Sequence, residues 1–339
     1  MKQHEAPSTP GPPSALAGAG KPQGLRAKMI VTVTLNPSLD EWVWVPRLEM
    51  GSLNRAVRFE RYPGGKGINV ARGLHQLRVQ TTAVALAGGS DGQLLGKLLV
   101  EQGIACRFVT IRGTTRNNYS VQSSAPRAIT QINSPGPQVA RRDLQRLERL
   151  VQRLGAGSRG VVFSGSLPPG APPTTYARLL RLIRKDRVVT VLDASGTSLR
   201  HGLSARPWLI KPNRHEAEEL LGATLRTRRE VVAAARALAR RGPRCVIISM
   251  GAEGAVLASA APETALFAAS PRVKTDSPVG SGDSLVAGFL VEWLRSRSWP
   301  EALRWGVACG AACALTAGTS LFRRADAVRL LRRVAIEAV

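Results

Sequence analysis

The chain is 339 residues long and 44% hydrophobic, enough to bury one large α/β core or two modest ones, and too apolar to be disordered throughout. A formal net charge of +25 raises nucleic acid as a partner, but aromatics are only 4% and no basic run alternates with stacking side chains, so no nucleic acid is expected. No apolar run is long enough to span a membrane, and four scattered cysteines without a CxxC pair suit a reducing, cytoplasmic setting.

Residues 1–27 are rich in Pro, Gly, Ala and Ser and lack apolar periodicity, so they are expected to form a disordered extension with no secretory signal. Met29 is a candidate translation start, and a chain beginning there is expected to fold and keep its activity. Folded sequence begins with the β-branched strand Met29-Ile30-Val31-Thr32-Val33-Thr34-Leu35. Two alternating pieces follow at 42–45 and 56–60, joined by a turn at Met50-Gly51-Ser52. A glycine turn, Pro63-Gly64-Gly65-Lys66-Gly67, then opens a helix running through Asn69 and Leu74. Strand-like runs at 82–87, 160–163, 188–192, 208–210 and 245–249 alternate with amphipathic helices, which predicts βαβ units and a mostly parallel sheet. Alternating stretches at 118–122 and 129–132 interrupt this rhythm and read as a hairpin; with the pieces at 42–60 they would build a small sheet over the mouth of a site.

The chemistry concentrates at Val279-Gly280-Ser281-Gly282-Asp283-Ser284, small residues leading into a helix pattern. Such a helix start offers backbone N–H donors and a positive dipole end to phosphate oxygens. Asp283 in the first turn is either a helix-stabilising acid or a general base beside that phosphate cradle. The segment is neither a P-loop nor a dinucleotide fingerprint. Gly64-Gly65-Lys66-Gly67 supplies a second close-approach turn with a point charge, and Asp40 follows the first strand where α/β sheets bind ligands. The four histidines form no spaced cluster, and Cys309 and Cys313, one helical turn apart without a third ligand, read as core packing.

Taken in order, these motifs resemble the ribokinase-like carbohydrate kinases, the PfkB family, and within it the group of 1-phosphofructokinase and tagatose-6-phosphate kinase. The resemblance runs from about Met29 to near the C-terminus. It rests on 34–40, Gly64 to Asn69, Thr115-Arg116-Asn117, 164–170, Leu192-Asp193-Ala194-Ser195-Gly196, 211–216, 249–254 and 277–284. It implies a three-layer αβα ribokinase-like fold over 28–339, with a mostly parallel central sheet and a small β-sheet lid within about 41–62 and 117–133.

The resemblance also implies roles. Asp283 would take the proton of the attacking hydroxyl, and the amides of Gly280, Ser281 and Gly282 would stabilise the transferred phosphoryl group. Asp40, Gly64, Gly65 and Asn69 would hold the sugar, while Arg116, supported by Lys66, would bind its phosphate. Lys211, Asn213, Ser249, Gly251, Gly254, Ser277 and Val279 would serve ATP; Asn213 and Glu216 would organise the water shell of Mg2+. The expected reaction is ATP-dependent phosphorylation of fructose 1-phosphate. Tagatose-6-phosphate kinase, 6-phosphofructokinase and a non-catalytic sugar-phosphate sensor are the alternatives. Two departures bear on this. Glu41, if it points inward, would repel a phosphate, and the bulky Trp42 and Trp44 are expected to mark a homodimer contact through the lid.

Overall fold

The computed structural model describes residues 29–183 and 188–339; the extension at 1–27 lies outside the described residues. Strands β1 (Ile30–Thr34), β4 (Thr81–Ala87), β8 (Gly160–Ser164) and β9 (Val189–Asp193) are buried at every position, as unbroken Val/Ile/Ala-rich runs covered on both faces must be. With β5 (Ala105–Thr110), β10 (Leu209–Ile210) and β11 (Cys245–Ser249) they form a parallel array. Strands β12 (Gly254–Ala260), β13 (Glu263–Ala269) and β14 (Ile336–Ala338) extend it antiparallel, giving the order β14-β13-β12-β11-β10-β9-β8-β1-β4-β5. The strand-like runs picked out in the sequence omit β5, β12, β13 and β14. The last three form an edge built from short, Ala-rich runs with little periodicity of their own.

One face of the sheet packs Val31, Phe163 and Ile248 against α3 (Arg141–Gly155), α4 (Thr175–Arg181), α5 (Gly196–Leu203), α6 (Arg214–Leu221) and α7 (Arg228–Ala239). The other packs Ile30, Val162 and Ile247 against α1 (Lys66–Gln76), α8 (Ser281–Ser296) and α9 (Trp299–Cys313). Helix α2 (Gly89–Glu101) joins α1 on this side, and α10 (Arg324–Leu331) packs on α9. This is the expected three-layer arrangement. Helix α3 shows why the pattern works: it buries Leu144, Leu147 and Val151 at helical spacing and leaves its arginines to solvent.

A separate four-stranded sheet, β3-β2-β6-β7, is the lid: β2 (Ser38–Val45), β3 (Arg58–Gly64), β6 (Arg116–Ser124) and β7 (Arg127–Asn133). Chain order reverses at β1, flanked by β4 on one side and β8 on the other. Ligand crevices of open α/β sheets form at such a switch point. Strands β2 and β3 flank the same edge, because β1 runs through three residues into β2 and β3 runs directly into α1.

Candidate active site

Helix α8 begins at Ser281 behind Gly280, whose φ of 85° is left-handed; a Cβ there would also fall 2.6 Å from the Leu321 side chain. The Ser281 N–H bonds Pro278 O at 3.2 Å and the Ser284 N–H bonds Gly280 O at 2.9 Å. Between them the amides of Gly282 and Asp283 lie in the first turn, where no intrahelical carbonyl is in reach. Of the expected Gly280, Ser281 and Gly282 amides, that of Ser281 is thus taken up by Pro278 O.

Asp283 is 5% exposed and accepts a 2.9 Å hydrogen bond from Asn69 Nδ2 on α1. Burial, reinforced by the charge of Asp193, pushes its carboxyl up to about 7, while Lys66, the Asn69 bond and Lys211 oppose the rise. Asp193, at the C-terminal end of β9, is completely enclosed. Burial alone would raise it, but Lys211 at 3.5 Å and Lys66 at 3.3 Å hold it below the usual carboxylate range. Two buried carboxylates thus diverge, one ionised and one poised near neutrality. That divergence is a signature of acid–base assignment.

Lys66 reaches Asp193 and, at 3.6 Å, Glu216, so its ammonium is held strongly in the charged form. It faces these acids and adds its positive charge to the field at Asp283. Arg116 instead donates to Ser134 O at 2.7 Å and Asn36 O at 3.0 Å, with Nε buried and unpartnered. Asp40 takes bonds from Ser38 Oγ at 2.8 Å and Asn118 Nδ2 at 3.3 Å, and burial raises its carboxyl despite them and the Arg72 and Arg116 charges. A Cβ at Gly64 would lie within 2.5 Å of the Asp40 carboxyl, so that approach requires glycine.

These groups share one cleft of about 970 Å3. Asp40, Gly65, Lys66, Asn69 and Arg116 line it, and so do Gly280, Ser281, Gly282 and Asp283. Lys211, Asn213, Ser249, Gly251, Gly254 and Val279 line it too, as do small residues of α9 such as Ala311. Gly64, Glu216 and Ser277 stand behind the wall: Ser277 Oγ accepts from the Val279 N–H at 3.3 Å. Sequence reading assigned no role to Asp193, Asn118, Gln131, Asn133 or Ser166. Asn118 was legible in principle, since β2 and β6 pair with Asp40 beside Asn118 and so place both on one face.

Both sequence departures resolve. Glu41 lies on the opposite face from Asp40, is 2% exposed, and accepts a 2.5 Å bond from Arg61 Nε, so it does not oppose a ligand. Trp42 is fully buried and donates to Thr319 Oγ1 at 2.8 Å; it latches the lid to the body and is no dimer contact. Trp44 lies half-buried under the Arg58 guanidinium at 4.4 Å.

Among the described residues no three His, Cys, Asp or Glu side chains gather as a metal site. Glu216 and Asn213 cap helix α6 reciprocally, each bond 2.8 Å, which leaves Glu216 Oε1 toward Lys66. Asp193 Oδ2, buried without a partner, adds negative potential nearby. Magnesium keeps most of its waters and binds nucleotide phosphates, so this donor set fits one held mainly through water.

The model of the pfkB family carbohydrate kinases matches residues 34–325. The chain belongs to that family. It is 36% identical over 288 residues to the 1-phosphofructokinase of Bacillus subtilis, covering 85% of this chain and 93% of that protein. It is 35% identical over 317 residues to the ATP-dependent 6-phosphofructokinase isozyme 2 of Mycobacterium tuberculosis, covering 93% and 91%. Phosphofructokinase-2 of Escherichia coli, solved in complex with substrates and products, superposes with a TM-score of 0.85 at 31% identity, over 90% of this chain and 98% of that one. The fold expected from the sequence is the fold of this kinase family, and the chain is a carbohydrate kinase.

Proposed function

We propose that this kinase transfers the γ-phosphoryl group of ATP to the 6-hydroxyl of fructose 1-phosphate, giving fructose 1,6-bisphosphate and ADP. The observation that carries it is the Asn69–Asp283 pair at the first turn of α8, in one cleft with Asp40 and Arg116. Asp283 removes the hydroxyl proton as the oxygen attacks the γ-phosphorus, and the bond from that phosphorus to the ADP oxygen breaks. The Gly282 and Asp283 amides and Lys66 carry the charge of the phosphoryl group in transit. Asn213 and Glu216 would hold Mg2+ through its water shell, and the ion would neutralise the nucleotide phosphates. Asp40 and Asn118 hold sugar hydroxyls. Two of the five Arg116 N–H bonds go to carbonyls, and the second proton on each Nη remains for a substrate phosphate that a neutral sugar would not need.

The Mycobacterium tuberculosis relative supports a second reading, in which the acceptor is fructose 6-phosphate. ATP consumption with fructose 1-phosphate, fructose 6-phosphate and tagatose 6-phosphate separates the readings. The expected order by kcat/KM puts fructose 1-phosphate first by tenfold or more; a higher value for either 6-phosphate replaces the assignment.

The quaternary reading is a homodimer through the lid, in a cytoplasmic protein. The lid face away from Asp40 leaves Phe59 54%, Tyr119 43% and Ile132 59% exposed, and all four cysteines are free thiols. No helix among the described residues is long and apolar enough to cross a membrane.

A further inference from the structure

Arg72 sits in the middle of α1, only 6% exposed, with no carboxylate in salt-bridge range among the described residues. A buried guanidinium is costly unless its donors are satisfied. Here neutral acceptors take the Nη1 and Nε donors. Nη1 donates to Thr319 O at 2.7 Å, to Pro63 O at 3.3 Å and, at 3.5 Å, to Asn69 Oδ1, while Nε donates to Gln102 Oε1 at 3.0 Å. Three of these partners come from different working parts: Pro63 ends lid strand β3, Thr319 lies between α9 and α10, and Asn69 holds the base.

We propose that Arg72 is a positioning residue that fixes the Asn69 amide toward Asp283 and ties that pair to the root of the lid. The proposal rests on the reading of Asp283 as base. An amide has one accepting end and one donating end, and a guanidinium offers only donors. Arg72 therefore claims Oδ1 of Asn69 and leaves Nδ2 for the carboxylate. Without Arg72 the Asn69 Oδ1 would lose this donor, and the Asp283 carboxyl would be left to orient the amide by itself.

The link to the lid runs through the same guanidinium. Residues 318–320, gripped by Arg72 at Thr319 O, also receive Trp42 of β2 on Thr319 Oγ1 and meet Tyr62 of β3 through Ser320 Oγ at 3.2 Å. The Tyr62 ring stands 5.9 Å from the Arg72 Cζ, and Leu321 packs beside Gly280 at the start of α8. Both lid strands thus converge on a segment that Arg72 joins to the base. The groups facing Asp283 are Asp193 of β9, Lys66 and Asn69 of α1, Lys211 after β10 and Cys313 of α9. Among them Asn69 is hydrogen-bonded to Arg72, and Cys313 feels the Arg72 charge, which opposes the rise of that thiol.

The test is a double-mutant cycle in the full chain with ATP and whichever sugar phosphate the wild type turns over fastest. Arg72→Gln is expected to lower kcat at pH 7 at least tenfold, with KM for ATP within twofold. The acid limb of the kcat profile should move up by half a pH unit or more, because the carboxylate loses a donor. In an Asn69→Ala background the same substitution should change kcat less than twofold. Arg72→Lys, which keeps the charge and can still donate to Thr319 O or Asn69 Oδ1, should recover part of the loss, and Arg72→Lys with Asn69→Ala closes the same cycle if Arg72→Gln does not fold. Carbon-13 titration of the Asp283 carboxyl in the ligand-free chain should show the same upward shift, which keeps the outcome readable if the acceptor sugar is misassigned. Equal losses in both backgrounds, or an unmoved titration, would show that Arg72 only stabilises the fold and would overturn the proposal.

Discussion

As the proposed base, Asp283 carries opposing demands, since a base must be ionised to work and its surroundings resist ionisation. With the carboxyl held at about 7 by burial and Asp193, kcat/KM is expected to fall about tenfold per pH unit below that value. Asp283→Asn should lower kcat roughly 10³- to 10⁴-fold with ATP affinity kept, by the scale of a lost general base. Unchanged turnover would sink the mechanism. The same substitution has a stability consequence. Asp283 binds its proton more tightly folded than unfolded, where the value is 3.8, so the fold loses stability as pH rises from there through about 7. Asp283→Asn should therefore raise the melting temperature at pH 8 and change it little at pH 3, which a pair of thermal scans can check.

Among the elements, the turn between β3 and α1 does two jobs in five residues: Gly64 admits the Asp40 carboxyl, and α1 then presents Lys66, Asn69 and Arg72 on successive turns. Gly64→Ala would place a methyl within 2.5 Å of that carboxyl, forcing Asp40 or β3 to move. The expected effect is a rise of about tenfold or more in KM for the sugar phosphate, since each 1.4 kcal/mol of lost contact is tenfold, with KM for ATP changed less than threefold. Equal rises in both constants would place the damage in the fold instead. Helix α8 owes its place to a different device: the left-handed Gly280 turns the chain so that a first turn with unspent amides meets the cleft.

In the molecule as a whole, the lid has two faces that differ in kind. Its inner face carries Asp40, Asn118 and Asn133, and its outer face carries Phe59, Tyr119 and Ile132. Burying the outer face against a second copy would also fix the lid's inner face over the cleft. Phe59→Asp with Ile132→Asp is expected to yield monomers in sedimentation, with a raised KM for the sugar phosphate. An undisturbed oligomer would place the interface elsewhere.

The sequence by itself determined the kinase family, the parallel sheet and part of the cleft lining, because glycine turns, β-branched runs and helix starts are local in cause. Asp283, Gly65 and Asn69 could be named from motifs that each lie within a dozen residues. Tertiary structure alone decided what long-range contact decides. Asp193 became a charged partner only when β9 ended beside Lys66 and Lys211. Lys66 turned toward Asp193 and Glu216 for the same reason. Trp42, bulky and apolar, could not be told from an interface residue until Thr319, 277 positions away, met its indole N–H. Arg72 left no signal at all, since its partners at Pro63, Gln102 and Thr319 share no spacing that a reader of the chain could recognise.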